Sequence, residues 1–243
     1  MRVFVCSVLL ALGLWGGELR ILAAANLKNV LEEIKQEFLK NYADENIIIT
    51  YLSSGKAYAQ IKSGIDADLF FSADSKKPQM LFDEGLTLLE PRVYALGKLV
   101  LCAMGNVNIS TPYVLKSSKK IKHIALANPK LAPYGEAGLE YLKRAKLYES
   151  VQDKLVYGDS IGQALNFVKS GNAEVGLNAL SLVINDSKMS YLILDSALYS
   201  PIKQSFIILK KSKNVSLSRA FARFVLSNEG QGIFLKYGYE RGQ

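Results

Sequence analysis

The chain is poor in the residues that carry metal, redox and nucleophilic chemistry. Its 243 residues include two cysteines (Cys6 and Cys102), one histidine (His123) and one tryptophan (Trp15). A single histidine, with no nucleophile-elbow motif, leaves a serine hydrolase without its usual base and orienting partner. No helix-turn-helix or zinc spacing is present, which argues against nucleic-acid readout and against a DNA-binding regulator. No internal repeat or low-complexity linker interrupts the chain. No apolar run reaches the roughly 20 residues of a membrane-spanning helix.

The longest N-terminal apolar run, Val3 to Trp15, follows Met1-Arg2 and leads into Gly16-Gly17 and Glu18. One positive charge, a short apolar core and small residues read as a secretory signal peptide over residues 1–17. A buried first strand is the structural alternative. A lipid anchor fits less well, because Cys6 precedes the apolar core and lacks a small residue before it. Cleavage near Gly17 removes Cys6 and Trp15, leaving Cys102 alone in the run Leu99-Val100-Leu101-Cys102-Ala103. That cysteine reads as a small buried hydrophobe. Export without disulfides points to a bacterial periplasm.

The formal net charge is +8. The lysines are scattered along the chain, and the short basic runs at Lys116 to Lys122 and Lys210 to Lys213 lack interleaved aromatics. They read as solvated faces. A mild positive field still favours capture of anions.

Strand-like and helix-like patterns alternate. Leu19–Ala25, Ile47–Leu52 and Ala67–Ser72 read as strands, and Leu27–Tyr42, Ala57–Ser63 and Lys77–Glu84 as helices. Gly64, Gly85 and Gly171 stand as helix stops. The long run Tyr94–Met104 is followed by a second set: strands at His123–Ala127, Lys154–Gly158, Val175–Ala179 and Tyr191–Leu194, with helices at Gly135–Ala145 and Gly162–Ser170. Another long run, Ile202–Leu209, precedes a terminal helix from Ser216. This order predicts an α/β protein of two lobes, each a mainly parallel sheet flanked by helices, joined by two crossover strands. Lobe I takes residues 18–98 and 203–243, and lobe II takes residues 99–202.

Four segments place small or polar residues where a strand gives way to a helix. They are Ala23-Ala24-Ala25-Asn26, Ser53-Ser54-Gly55, Pro133-Tyr134-Gly135 and Asp159-Ser160-Ile161-Gly162. Helix starts carry unpaired N–H groups and the positive end of the helix dipole. None of the four contains arginine, so the pattern suggests an anion held by neutral donors. Each also has a plainer reading: Ser53-Ser54 as a helix cap, Pro133 as ordinary first-turn grammar, Tyr134 as packing. Gly55-Lys56 lacks the upstream glycine and downstream hydroxyl of a phosphate loop. His123 reads as a structural histidine, and Tyr237-Gly238-Tyr239 as packing of the terminal helix. An unprotonated tetrahedral dianion suits a site made only of donors, whereas phosphate also needs an acceptor. Asp74 and Asp159 lie near enough in sequence to leave phosphate open.

Several strings, in order, resemble the periplasmic molybdate-binding proteins of ATP-driven uptake transporters, within the type II periplasmic binding proteins. They are Leu22-Ala23-Ala24-Ala25-Asn26-Leu27, Ser53-Ser54-Gly55, Ala67-Asp68-Leu69-Phe70-Phe71-Ser72-Ala73-Asp74, Asn128-Pro129 with Pro133-Tyr134-Gly135, and Gly158-Asp159-Ser160-Ile161-Gly162-Gln163-Ala164. The resemblance implies a monomeric, non-enzymatic binding protein without cofactor. It would hold molybdate or tungstate between its lobes and pass it to the membrane permease of an ABC importer. Sulfate or another oxyanion is the alternative ligand, and a serine-based hydrolase on the same fold the alternative activity. Carried over by position, Ala25, Asn26, Ser54, Tyr134 and Ile161 would contact the oxyanion, with no metal other than its molybdenum or tungsten. Ser54 would give its hydroxyl, Asn26 an amide donor, Ile161 its backbone N–H, and Tyr134 either its phenol or its N–H. Some members have a tyrosine where Ala179 stands.

Overall fold

The computed structural model describes residues 17–105 and 107–242. The segment read as a signal peptide therefore lies outside the described residues, save Gly17. The chain begins with β1 (Glu18–Ala24), a 3-10 turn (Ala25–Leu27) and α1 (Lys28–Leu39). It continues through β2 (Asn46–Leu52), α2 (Ser54–Lys62), β3 (Leu69–Ser72), α3 (Lys76–Asp83) and β4 (Arg92–Gly97). Next come β5 (Leu99–Met104), α4 (Val114–Ser117), β6 (Ile124–Ala127), α5 (Pro133–Arg144) and α6 (Tyr148–Val151). The same half holds β7 (Leu155–Gly158), α7 (Ile161–Lys169), β8 (Val175–Ala179), α8 (Leu180–Val183) and β9 (Met189–Ile193). The chain ends with β10 (Ile202–Ile208), α9 (Val215–Leu226), α10 (Asn228–Lys236) and β11 (Glu240–Arg241).

Two separate sheets result, ordered β11-β4-β10-β3-β1-β2 and β7-β6-β8-β5-β9. The strands of the βα units pair in parallel, β1 with β2 and β3, and β6 with β7 and β8. The strands entering or leaving a lobe add antiparallel: β10 against β3 and β4, and β5 against β8 and β9. Both sheets are thus mixed, with parallel pairing confined to the βα units. The single long strand expected at Tyr94–Met104 is two strands. β4 ends in the first sheet at Gly97, and β5 begins in the second at Leu99. The change falls at Gly97-Lys98, the one glycine and one charged residue inside an otherwise apolar stretch, and at the position where the sequence divides the lobes.

Each helix buries the stripe its spacing defines. Val30, Leu31, Ile34 and Phe38 of α1 are covered. The C-terminal helices return to the first lobe, where Phe221 of α9 meets Phe38 edge-on at 5.2 Å between ring centres. Gly64 and Gly171 take φ of 82° and 76° just beyond α2 and α7, the left-handed stop that glycine adopts without strain. The helix expected from Ser216 is two, because Ser227 ends α9 and caps α10 by accepting from the Gly230 N–H. The short α8 was not legible in sequence; its four residues lie within the core, and they sit against the first lobe's opening turn.

Candidate functional site

All four helix starts converge. Ala25 and Asn26 open the 3-10 turn that leads into α1, after Ala24, whose methyl can offer no cap. Ser54 is the first residue of α2, behind Ser53, whose hydroxyl accepts from the Lys56 N–H. Tyr134 follows Pro133 in the first turn of α5. Ile161 begins α7, behind Ser160, which accepts from the Gln163 N–H. In two of the four cases the serine before the helix does the capping, so the next residue's N–H needs another partner.

These five residues line one small cavity, together with Ala24, Ser53, Ala73, Ala132 and Pro133. Its water-accessible volume is about 10 Å³, room for about one water, and far below the roughly 300–1,000 Å³ of drug-sized sites. Ser54 is fully buried, and its Oγ accepts the Ala73 N–H at 3.0 Å, which leaves its own proton unassigned. No lysine, arginine, aspartate or glutamate is among the lining residues. Asp74 caps Lys77, accepting from its N–H at 2.8 Å, and pairs with its ammonium. Asp159 pairs at the surface with Lys56. The two carboxylates that left phosphate open in the sequence are therefore engaged outside the cavity.

The lobes touch around it. The Gly55 N–H donates to the Leu131 carbonyl at 2.9 Å, Lys56 Nζ lies 2.6 Å from Asp159, and Ser181 Oγ donates to the Asn26 carbonyl at 2.9 Å. This is a closed arrangement.

A buried polar network behind the cavity was missed in sequence. Asn26 Nδ2 donates to Gln204 Oε1 and to the Tyr239 hydroxyl, both at 2.8 Å. The amide donor expected to face a ligand is thus committed on both hydrogens, and Asn26 Oδ1 is buried with no hydrogen-bond partner. Gln204 Nε2 donates to the Tyr134 hydroxyl at 3.3 Å. Tyr239 is more than terminal-helix packing, since its hydroxyl also donates to the Asn26 carbonyl. The signal available was a glutamine inside the apolar run Ile202–Leu209, which a strand pattern alone does not explain. Burial pushes the Tyr134 and Tyr94 phenols well above their ordinary range and the Tyr239 phenol to about 12, so all three keep their protons at neutral pH.

Ala179 is buried ahead of α8, with its N–H bonded to Asn178 Oδ1, and is not among the cavity-lining residues. Cys102 is fully buried and its thiol is pushed to about 12, which makes it unreactive. His123 is exposed just ahead of β6, and its backbone N–H donates to Glu174 at 2.8 Å. Among the described residues no cluster of three metal-ligating side chains exists, and no helix is long and apolar enough to cross a membrane.

Two α/β lobes joined by crossing segments and closed over a small cavity define a solute-binding protein. Residues 19–240 match the family of bacterial extracellular solute-binding proteins, and the chain belongs to that family. The chain is 35% identical to the molybdate-binding protein ModA of Rhodobacter capsulatus, over 95% of this chain and 91% of that one. It is 34% identical to the molybdate-binding protein ModA of Azotobacter vinelandii, over 95% of this chain and 93% of that one. The solved periplasmic molybdate-binding protein of Azotobacter vinelandii superposes with a TM-score of 0.86 at 32% identity, covering 93% of this chain and all of that one.

Proposed function

We propose that the chain captures molybdate, and tungstate with it, in the interlobe cavity and delivers it to the membrane permease of an ABC importer. Ala25, Asn26, Ser54, Tyr134 and Ile161 form the oxyanion site. The lobes divide at residues 18–98 with 203–243 and at 99–202, and the protein works as a periplasmic monomer after loss of residues 1–17. Its ligand is cargo, not a cofactor. One observation carries the reading: five residues from four helix starts line a single small cavity without a charged side chain. Such a cavity offers donors to a dianion and no carboxylate to a protonated one. The relatives named for molybdate, similar along nearly their whole length, support the same ligand. The hydrolase alternative lacks a base, because the hydroxyl of Ser54 meets a backbone N–H and no histidine lines the cavity.

About five to seven charge-assisted hydrogen bonds of roughly 1.5–3 kcal/mol each are enough for the ~12 kcal/mol of nanomolar affinity, after the cost of closing. Isothermal titration is expected to give tight binding of molybdate and tungstate and at least about 100-fold weaker binding of sulfate, a gap of roughly 2.7 kcal/mol. Equal affinity for sulfate would overturn the ligand assignment. Affinity should stay flat between about pH 6 and 9, because the site's buried phenols titrate above that window. Small-angle scattering should show a more compact particle with molybdate, since a ligand bridging both lobes favours the closed state.

Ser54→Ala is expected to weaken molybdate binding by about 1–3 kcal/mol, through loss of a hydroxyl donor to a buried charge. Ile161→Val should change affinity by less than about twofold, because the ligand meets only its backbone N–H and small changes between similar apolar side chains are tolerated. Titration of both variants tests the two roles, and equal losses would reject them.

A further inference from the structure

Gln204 lies at the centre of the buried network and on the strand that follows the second crossing between lobes. It is fully buried. Its Oε1 accepts from Asn26 Nδ2 at 2.8 Å and from the Tyr94 hydroxyl at 3.2 Å, and its Nε2 donates to the Tyr134 hydroxyl at 3.3 Å. Both ends of the amide are therefore engaged. Turning Gln204 over alone would set its Nε2 against Asn26 Nδ2, donor against donor. Asn26 is itself held by Tyr239, which donates to the Asn26 carbonyl and meets Ser181 of the second lobe.

We infer that Gln204 is a positioning residue that makes the Tyr134 phenol a hydrogen-bond donor to the oxyanion. This rests on the oxyanion site proposed above. A phenol has one proton and two lone pairs. By donating to the phenol oxygen, Gln204 occupies an acceptor position and leaves the proton free for the ligand. The opposite amide orientation would take that proton on Oε1 and withdraw the donor. The buried phenol stays protonated, so its role is set by its neighbour and not by pH. The same glutamine holds Asn26 of the first lobe and Tyr134 of the second, so it arranges groups on both sides of the cavity. Gly97 leaves the room for this contact: a methyl group there would lie 2.1 Å from the Tyr134 hydroxyl and 2.7 Å from Gln204 Nε2.

The test is a double-mutant cycle on the full mature chain, with molybdate affinity read by titration calorimetry. Tyr134→Phe in the wild-type background is expected to weaken binding about tenfold, and an unchanged affinity would overturn the inference. Gln204→Glu at pH 8 should weaken binding at least 100-fold, because the carboxylate accepts the phenol proton and adds charge beside the cavity. Binding should recover as the pH falls towards 5 and the carboxyl takes up a proton. In the Gln204→Glu background, Tyr134→Phe should cost less than twofold at pH 8, since the phenol proton is already committed. A full tenfold cost there would overturn the inference, as would a Gln204→Glu loss that does not vary with pH. Should Gln204→Glu not fold at pH 8, the same titrations run from pH 5 up to the highest pH at which the variant still melts cooperatively carry the test. A loss of affinity that does not grow over that span would overturn the inference. Failure of the wild-type chain to bind molybdate, tungstate or sulfate would instead strike the oxyanion site itself.

Discussion

Asn26→Asp is expected to abolish molybdate binding at pH 8, with a loss of more than about 1,000-fold. Asn26 is 1% exposed and lines the cavity, so a carboxylate there would face the ligand with no water to screen it. At 4 Å and an effective dielectric constant near 20, each pair of unit charges repels by about 4 kcal/mol. A dianion doubles that, and 1,000-fold corresponds to only about 4 kcal/mol. The substitution also sets a carboxylate oxygen against Gln204 Oε1 where an amide N–H now donates. Both effects raise the carboxyl's folded-state pKa above its unfolded value of about 3.9. The variant should therefore be most stable below that value and lose stability as pH rises through the raised folded value. Titration at pH 8 and pH 5 with thermal melts at each checks both statements. Binding within tenfold of wild type at pH 8 would remove Asn26 from the site.

Gly55→Ala should separate closure from folding. Gly55 is on α2 of the first lobe, and its N–H meets the Leu131 carbonyl of the second at 2.9 Å. A methyl group at Gly55 would lie 2.8 Å from that oxygen and 3.1 Å from the Leu131 Cα, both backbone atoms that cannot turn aside. The clash exists only when the lobes meet. We expect molybdate affinity to fall by about 1–3 kcal/mol, the usual cost of an overpacked contact. The melting temperature of the ligand-free protein should be unchanged, and scattering should show less compaction on adding molybdate. Lys56→Ala serves as a control, because the exposed Lys56–Asp159 pair should contribute about 1 kcal/mol at most. Wild-type affinity in Gly55→Ala would mean that the lobes bind the ion without this contact.

The helix starts were readable because their grammar is local. Serine before a helix, proline in its first turn and glycine after its end act on their own few residues, and Ser53, Ser160, Pro133 and Gly64 each act where the sequence puts them. The βα alternation was equally plain, because a buried parallel strand and an amphipathic helix each leave a pattern of fixed period. The break at Lys98 between β4 and β5 was readable only as a lobe boundary: one glycine and one charged residue do not by themselves end a strand, and only the structure shows the two halves in different sheets.

The second layer of the site was not readable. Asn26 and Gln204 are 178 residues apart and Gln204 and Tyr134 are 70 apart, yet each pair is in hydrogen-bond contact. A polar residue in an apolar strand signals only that some partner must exist. Asn26 shows the consequence: its residue type suggested an amide donor for the ligand, but Gln204 and Tyr239 hold both of its hydrogens.

The sequence by itself determined the alternation of strands and helices, the neutral helix starts and the shortage of catalytic groups, because each depends on residue type and near neighbours. Only the tertiary structure decided that four helix starts separated by up to 136 residues share one small cavity. It also decided that Asp74 and Asp159 are engaged outside that cavity, and that Gln204 stands behind it. The reason is physical. A buried hydrogen bond depends on position and direction to a fraction of an ångström, and those are set by the packing of both lobes together.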